Sequence, residues 1–238
     1  MMRINQPIVN NKIKIAPSII SADLTKLDEE VKKIEESGAD FIHIDSYPLS
    51  IFAFEYNRLG RFAIGHFLLD FLRRRTSLPL DIHIAMEREL DYIEKCIDLG
   101  ADIISFHPEP YKDPMKVVEL VKERGVKLGL GITVSTDLES VFGLCRYADL
   151  ITVVSANVNF AGKIRLEDAS DKIRKARELF GDKVDIAIDG GVNPETIPLF
   201  VRSGANVLIV GRYFFGHKDY RRAVIELKRK ALELLKPP

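Results

Sequence analysis

Short runs of β-branched and aliphatic residues alternate along the whole chain with longer stretches whose apolar positions recur every three to four residues. The short runs fall at 12–16, 40–45, 80–84, 102–107, 127–132, 150–154, 184–189 and 207–210, and their length and composition predict eight strands. Between them, Leu27, Val31 and Ile34, or Met115, Val118, Leu120 and Val121, have the spacing of one helix face. The last stretch repeats it, with Val224, Leu227, Ala231 and Leu234 on one face and Arg and Lys opposite. Asp113-Pro114 and Asn193-Pro194 each predict a helix start, a capping residue followed by proline at the first helical position.

Strict alternation of strand and helix implies a parallel sheet, because each crossover must return the chain to the same end of the sheet. Eight repeats predict closure into one (β/α)8 TIM barrel, an α/β fold, and no linker or low-complexity stretch divides it, so residues 1–238 are expected to form a single domain. Gly38-Ala39-Asp40, Gly100-Ala101-Asp102 and Gly204-Ala205-Asn206 precede strands as helix-ending glycines, a weak internal repeat. One connection is out of scale. The segment 46–62, SYPLSIFAFEYNRLGRF, stands where a βα loop usually takes ~2–6 residues. On the catalytic face its aromatics Tyr47, Phe52, Phe54 and Tyr56 predict a lid over a ligand or a subunit contact, and a homo-oligomer is expected.

Composition narrows this picture without changing it. A chain of 238 residues suits one barrel, which takes ~250. A formal net charge of zero argues against nucleic acid or an anionic membrane as the main partner. Cys96 and Cys145 lie far apart without metal-ligand spacing and are expected to be buried thiols of a reduced, cytoplasmic protein. The first residues lack the apolar core of a signal peptide, and no apolar run approaches ~18 residues, so a soluble protein is expected.

Polar side chains at the C-terminal ends of barrel strands converge on the site of chemistry. The second strand ends His43-Ile44-Asp45, the third Asp81-Ile82-His83, the seventh Ile188-Asp189-Gly190-Gly191. Period two turns His43 and Asp45 to one side, inward, and Ile44 to the helix layer. Buried unpaired, His43, Asp45, His83 and Asp189 would each be costly. Two imidazoles and two carboxylates facing one another suit a divalent cation, whereas any one of them alone reads as a hydrogen-bonded core residue. His66 and His217 are expected at the surface; His107 ends the fourth strand and can line the site without joining the metal set. Gly190-Gly191 after strand seven and Gly211 after strand eight offer the backbone N–H groups of the phosphate site common in barrels.

The opening Ile15-Ala16-Pro17-Ser18-Ile19-Ile20-Ser21-Ala22-Asp23-Leu24, with His43-Ile44-Asp45, Asp81-Ile82-His83 and Asp189-Gly190-Gly191-Val192, resembles the ribulose-phosphate 3-epimerase family. The likeness runs to Phe215-Gly216-His217-Lys218-Asp219-Tyr220. It implies a ribulose-phosphate-binding barrel and a metal-dependent isomerase inverting C3 of a phosphorylated ketose through an enediolate. It implies Asp45 and Asp189 as the acid and base, and His43, Asp45, His83 and Asp189 as ligands of one ion, zinc first, with iron, cobalt or manganese also fitting. Ser18, Tyr47 and Gly162 would contact the substrate, and amides near Gly190, Gly191, Gly211 and Arg212 its phosphate. Where the family carries pocket methionines this chain has Tyr47, Ala85 and Val154, which predicts a reshaped sugar pocket. Two other readings fit the same barrel: a metal-dependent lyase or decarboxylase, and a non-catalytic sugar-phosphate-binding paralogue.

Overall fold

The computed structural model describes residues 13–46, 65–85, 90–155 and 165–233. Its strands are β1 (Lys14–Pro17), β2 (Ile42–Ser46), β3 (Leu80–Ile84), β4 (Ile103–Phe106), β5 (Lys127–Thr133), β6 (Leu150–Val154), β7 (Asp185–Asp189) and β8 (Val207–Val210). All pair in parallel, in the order β1-β8-β7-β6-β5-β4-β3-β2. The two ends of that order meet where Ser18 bridges His43, which closes the sheet into a barrel. Around it lie α1 (Leu27–Ser37), α2 (Gly65–Arg73), α3 (Leu90–Asp98), α4 (Met115–Glu123), α5 (Leu138–Cys145), α6 (Leu166–Phe180), α7 (Ile197–Arg202), α8 (Arg212–Phe215) and α9 (Tyr220–Leu232).

Strand side chains alternate between two cores. Ile15, Ile44, Ile82, Ile104, Leu130, Ile151, Ile186 and Leu208 pack outward against helix residues such as Val31, Ile34, Val118 and Val121. Ala16, Phe41, Ile103, Leu150, Ala187, Val207 and Ile209 form a separate plug inside the barrel. Val224, Leu227 and Ala231 are buried as their spacing predicts, while Leu234 lies outside the described residues. The helix starts differ from expectation. Before α4 the cap is Pro114 with no side-chain bond, and Asp113 offers its carbonyl oxygen to the Lys116 N–H at 3.4 Å. Asn193 does cap, but a turn early: its side chain accepts from the Glu195 and Thr196 amides at 2.9 and 3.0 Å, and α7 proper begins at Ile197.

The Gly-Ala-Asp/Asn repeat proves to be a fastening. Gly38, Gly100 and Gly204 hold φ of 82°, 99° and 111°, the left-handed conformation that ends a helix. The polar residue two places on then accepts a backbone N–H from the preceding strand: Asp40 from Ile15 at 2.9 Å, Asp102 from Leu80 at 2.8 Å, Asn206 from Ile186 at 2.8 Å. Asp149 does the same to Leu128 at 2.8 Å without a glycine before it. A cation from the helix layer completes each one: Lys228 on Asp40 at 2.8 Å, Arg73 on Asp102 at 3.0 Å, Lys122 on Asp149 at 2.7 Å and Arg177 on Asn206 at 3.0 Å. The N-terminal end of the barrel therefore carries four copies of one clamp, joining β1 to β2, β3 to β4, β5 to β6 and β7 to β8.

Candidate active site and metal centre

At the other end the strands bring together the four side chains that strand-end polarity picks out. One ligand atom from each of His43, Asp45, His83 and Asp189 lies within 4.8 Å of the others. His43, Asp45 and His83 are buried and Asp189 is half-buried. Their strand neighbours Ile44, Ile82 and Ile188 face the helix layer, so the alternation of each strand aims the polar atoms inward.

Each imidazole is oriented from behind. His43 Nδ1 lies 2.8 Å from Asp81 Oδ2, and Asp81 Oδ1 accepts from Ser105 Oγ at 2.7 Å. With its Nδ1–H donated to that carboxylate, His43 turns Nε2 to the centre, buried, without a hydrogen-bond partner among the described residues and 3.3 Å from Asp45 Oδ1. His83 Nδ1 stands 3.3 Å from the same oxygen, and its Nε2 is 3.0 Å from His107 Nε2. Ser18 Oγ donates to Asp45 Oδ2 at 3.0 Å. An unpartnered buried nitrogen costs ~1–3 kcal/mol unless something occupies it. Two nitrogens and two carboxylates, with a carboxylate behind one imidazole, form a donor set that could hold a divalent ion.

The electrostatics call for positive charge. Burial works to lower the pKa of His43, but the Asp45 and Asp81 carboxylates overcome it and hold the ring well above the ordinary histidine value. Burial works to raise Asp45, yet His43 and His83 pull it well below the carboxylate range. Asp189 goes the other way, raised by burial and then by the charge of Asp45. His107 is pushed down to about 3 by burial and by His83.

Other expected site residues fall nearby or outside the description. Ala85 and Val154 are buried, and Val154 pairs with Asp189 in the ladder. Gly190 and Gly191 follow β7 with φ of 96° and 73°, and Gly211 caps α8, which opens at the exposed Arg212. A Cβ on Gly190 would lie 2.2 Å from Ser155 Oγ, and one on Gly211 2.6 Å from Ser21 Oγ, so a side chain at either position would have to displace a serine hydroxyl. Tyr47, Gly162 and the 46–62 loop beyond Ser46 lie outside the described residues. His217, expected at the surface, is half-buried against Tyr213, with ring centroids 4.9 Å apart. Cys96 and Cys145 are buried as expected.

Sequence reasoning assigned no role to Ser105 or to Asp81 behind His43, and placed His107 only as a residue that can line the site, which its contact with His83 bears out. The signal was present in period two: Asp81 shares a face with His83, and Ser105 with His107. Opposite them β5 carries Gly129 and Gly131, where a Cβ would overlap Ser105 Oγ or come 2.7 Å from His107 Nε2.

Comparisons with known proteins show the family and the fold. The ribulose-phosphate 3 epimerase family model matches residues 14–215. The chain is 34% identical over 220 residues to a ribulose-phosphate 3-epimerase of Bacillus subtilis (strain 168), covering 91% of this chain and 98% of that protein. It is 31% identical over 226 residues to one from Methanocaldococcus jannaschii, covering 94% and 93%. Among solved structures, KGPDC from Streptococcus mutans, crystallised as a ligand complex, superposes with a TM-score of 0.71 at 13% identity, covering 94% of this chain and 99% of that one. A 3-hexulose-6-phosphate synthase gives 0.66 at 16%, covering 92% and 99%. At such identities the structural likeness is one of fold. Among the described residues, no helix is long and apolar enough to cross a membrane.

Proposed function

The chain belongs to the ribulose-phosphate 3-epimerase family, and from that premise we propose that it inverts C3 of ribulose 5-phosphate or a closely related ketose phosphate with Asp45 and Asp189 as its two proton carriers. The observation that carries the reading is the pair itself. Two carboxyl groups from β2 and β7 share one centre, and their surroundings push their pKa values apart, Asp45 down and Asp189 up. Such a split suits a pair in which one member accepts a proton while the other donates one.

In the proposed reaction one carboxylate removes the C3 proton, and the C–H electron pair moves into a C2–C3 enediolate. The other carboxyl group delivers a proton to the opposite face of C3, so the epimer forms with no co-reactant. His43, His83, Asp45 and Asp189 would hold a divalent ion, zinc first, with iron, cobalt or manganese also suited to these donors. Bound there, it would act as a Lewis acid and stabilise charge that develops on the sugar oxygens. Ser18 Oγ, already on Asp45, would position that carboxylate and meet the substrate. Amides near Gly190, Gly191, Gly211 and Arg212 would hold the phosphate, with Tyr47 and Gly162 contributing from the loops that contain them. A single-domain, cytoplasmic homo-oligomer goes with this reading.

Purified protein should carry about one divalent ion per chain, lost together on mutating His43 and His83. In deuterated water it should place deuterium at C3 of ribulose 5-phosphate and release the 3-epimer, xylulose 5-phosphate. Deuterium at C3 of no ketose phosphate of four to six carbons would end the proposal.

A further inference from the structure

His107 is a buried imidazole that the reaction above leaves without a task. Phe106 pairs with Ile84 on one side and Leu130 on the other, so the next residues, Ala85, His107 and Gly131, stand abreast on β3, β4 and β5. The ring is thus flanked by a methyl group and by no side chain at all, and a Cβ on Gly131 would collide with it. Thr152 follows Gly131 in the same row on β6. The missing side chain at position 131 is what admits the ring, and the histidine is 1% exposed.

The hydrogen positions follow from the contacts. His83 Nε2 and His107 Nε2 are 3.0 Å apart, so one hydrogen lies between them. His83 turns Nδ1 to the centre, beside Asp45. When that Nδ1 serves as a lone-pair donor, His83 Nε2 carries the hydrogen and gives it to His107 Nε2. A neutral His107 then carries its own hydrogen on Nδ1. That atom is buried and has no hydrogen-bond partner among the described residues. The Glu109 Oε2 atom is 3.8 Å away, beyond hydrogen-bond reach, and Glu109 Oε1 is taken by Thr136. Thr152 Oγ1 is likewise buried and unpartnered among those residues. Native folds rarely leave such atoms idle.

The direction of the substrate supplies the missing acceptor. β4 stands four strands from β8 in the eight-stranded ring, on the side away from the glycine loops after β7 and β8. A ketose phosphate held by its phosphate at those loops, with C3 between Asp45 and Asp189, extends its C1 end towards β4. Resting on the function proposed above, we propose that His107 is a specificity-determining residue whose Nδ1–H donates to the C1 hydroxyl oxygen of the ketose. Gly131 carries no side chain because the ring fills that place, which fixes the ring in the orientation this donation needs.

The test compares xylulose 5-phosphate with 1-deoxyxylulose 5-phosphate, which carries a methyl group in place of the C1 hydroxymethyl. Deuterium uptake at C3 is followed by NMR with the metal-loaded enzyme. A site matched to a hydroxyl rejects the analogue that lacks it, so the wild type should favour the parent sugar by about 10²-fold or more in kcat/KM. His107→Phe should bring the two sugars within about 3-fold by raising KM for the parent alone. His107→Gln, which keeps both an acceptor for His83 and a donor, should retain most of the preference, and it decides the matter if the phenylalanine variant does not fold. Equal treatment of both sugars by the wild type, or a preference unchanged in His107→Phe, overturns the assignment. Absence of exchange with either sugar sinks the reaction itself, and the role of His107 with it.

Discussion

The two ends of this barrel treat polar groups in opposite ways. At the N-terminal end each of the four clamp oxygens meets both a backbone amide and a helix cation, as Asp149 meets Leu128 and Lys122. At the C-terminal end His43 Nε2, His107 Nδ1, Thr152 Oγ1 and Ser155 Oγ are buried with no partner among the described residues. A satisfied polar group contributes stability, whereas an unsatisfied one costs stability until a ligand completes it. One end is finished as folded. The other leaves buried groups that a ligand could complete.

The largest expected effect lies at the unfinished end. Asp189→Asn should cut C3 exchange by ~10²–10⁴-fold, the usual contribution of a general acid or base, yet leave the metal-free protein at least as stable. Burial and Asp45 raise the Asp189 pKa, so the native state keeps a proton that the unfolded chain releases above the ordinary carboxylate value. Stability of the metal-free protein should therefore fall as pH rises through that interval, and Asp189→Asn should flatten the fall. Thermal melts with chelator across pH measure this. A variant that melts well below the wild type at every pH would break the contrast.

Next in size is the finished end. Asp102→Ala strands the Leu80 amide and removes the carboxylate partner of Arg73, which keeps its bonds to the Thr76 and Leu78 carbonyls, at a cost of ~1–3 kcal/mol. For a chain of this length each kcal/mol shifts Tm by ~2–4 °C. Exchange per folded molecule should stay at the wild-type value, and a drop in kcat would mean that the two ends are coupled. The smallest effect belongs to Lys122→Met. Lys122 and Asp149 keep 39% and 42% of their side chains exposed, so water already screens the pair and the loss should stay within ~1 kcal/mol.

The same contrast accounts for what could be read from the sequence. Eight strands were legible because each is a compact apolar run, and β3, β6 and β8 match their expected limits. The four central residues were legible because ionisable side chains at period two on apolar strands are too costly to bury for packing alone. Asp81 and His107 sat in view, but a supporting role depends on distances between strands, and those follow from ladder register that one chain does not display. Gly129 and Gly131 are harder still, since a cleared space leaves no letter except glycine, which serves turns and helix ends as well. The Gly-Ala-Asp/Asn repeat suggested strand starts but not clamps, because the partner amide lies on the neighbouring strand, 20 to 25 residues away in the chain.

The seam between β1 and β2 joins the two ends in one further respect. Among the described residues no ladder runs along it. At the bottom the Asp40 side chain and N–H both hold Ile15, and at the top Ser18 bridges His43 while its hydroxyl holds Asp45. Mechanically the barrel is a hoop with a joint, and the upper rivet of that joint is made from residues of the reaction centre. Tension that pries the first strand from the second would pull directly on His43 and Asp45. An ion seated on those two side chains would then tighten the hoop, and its loss would loosen the wall at this one joint before any other.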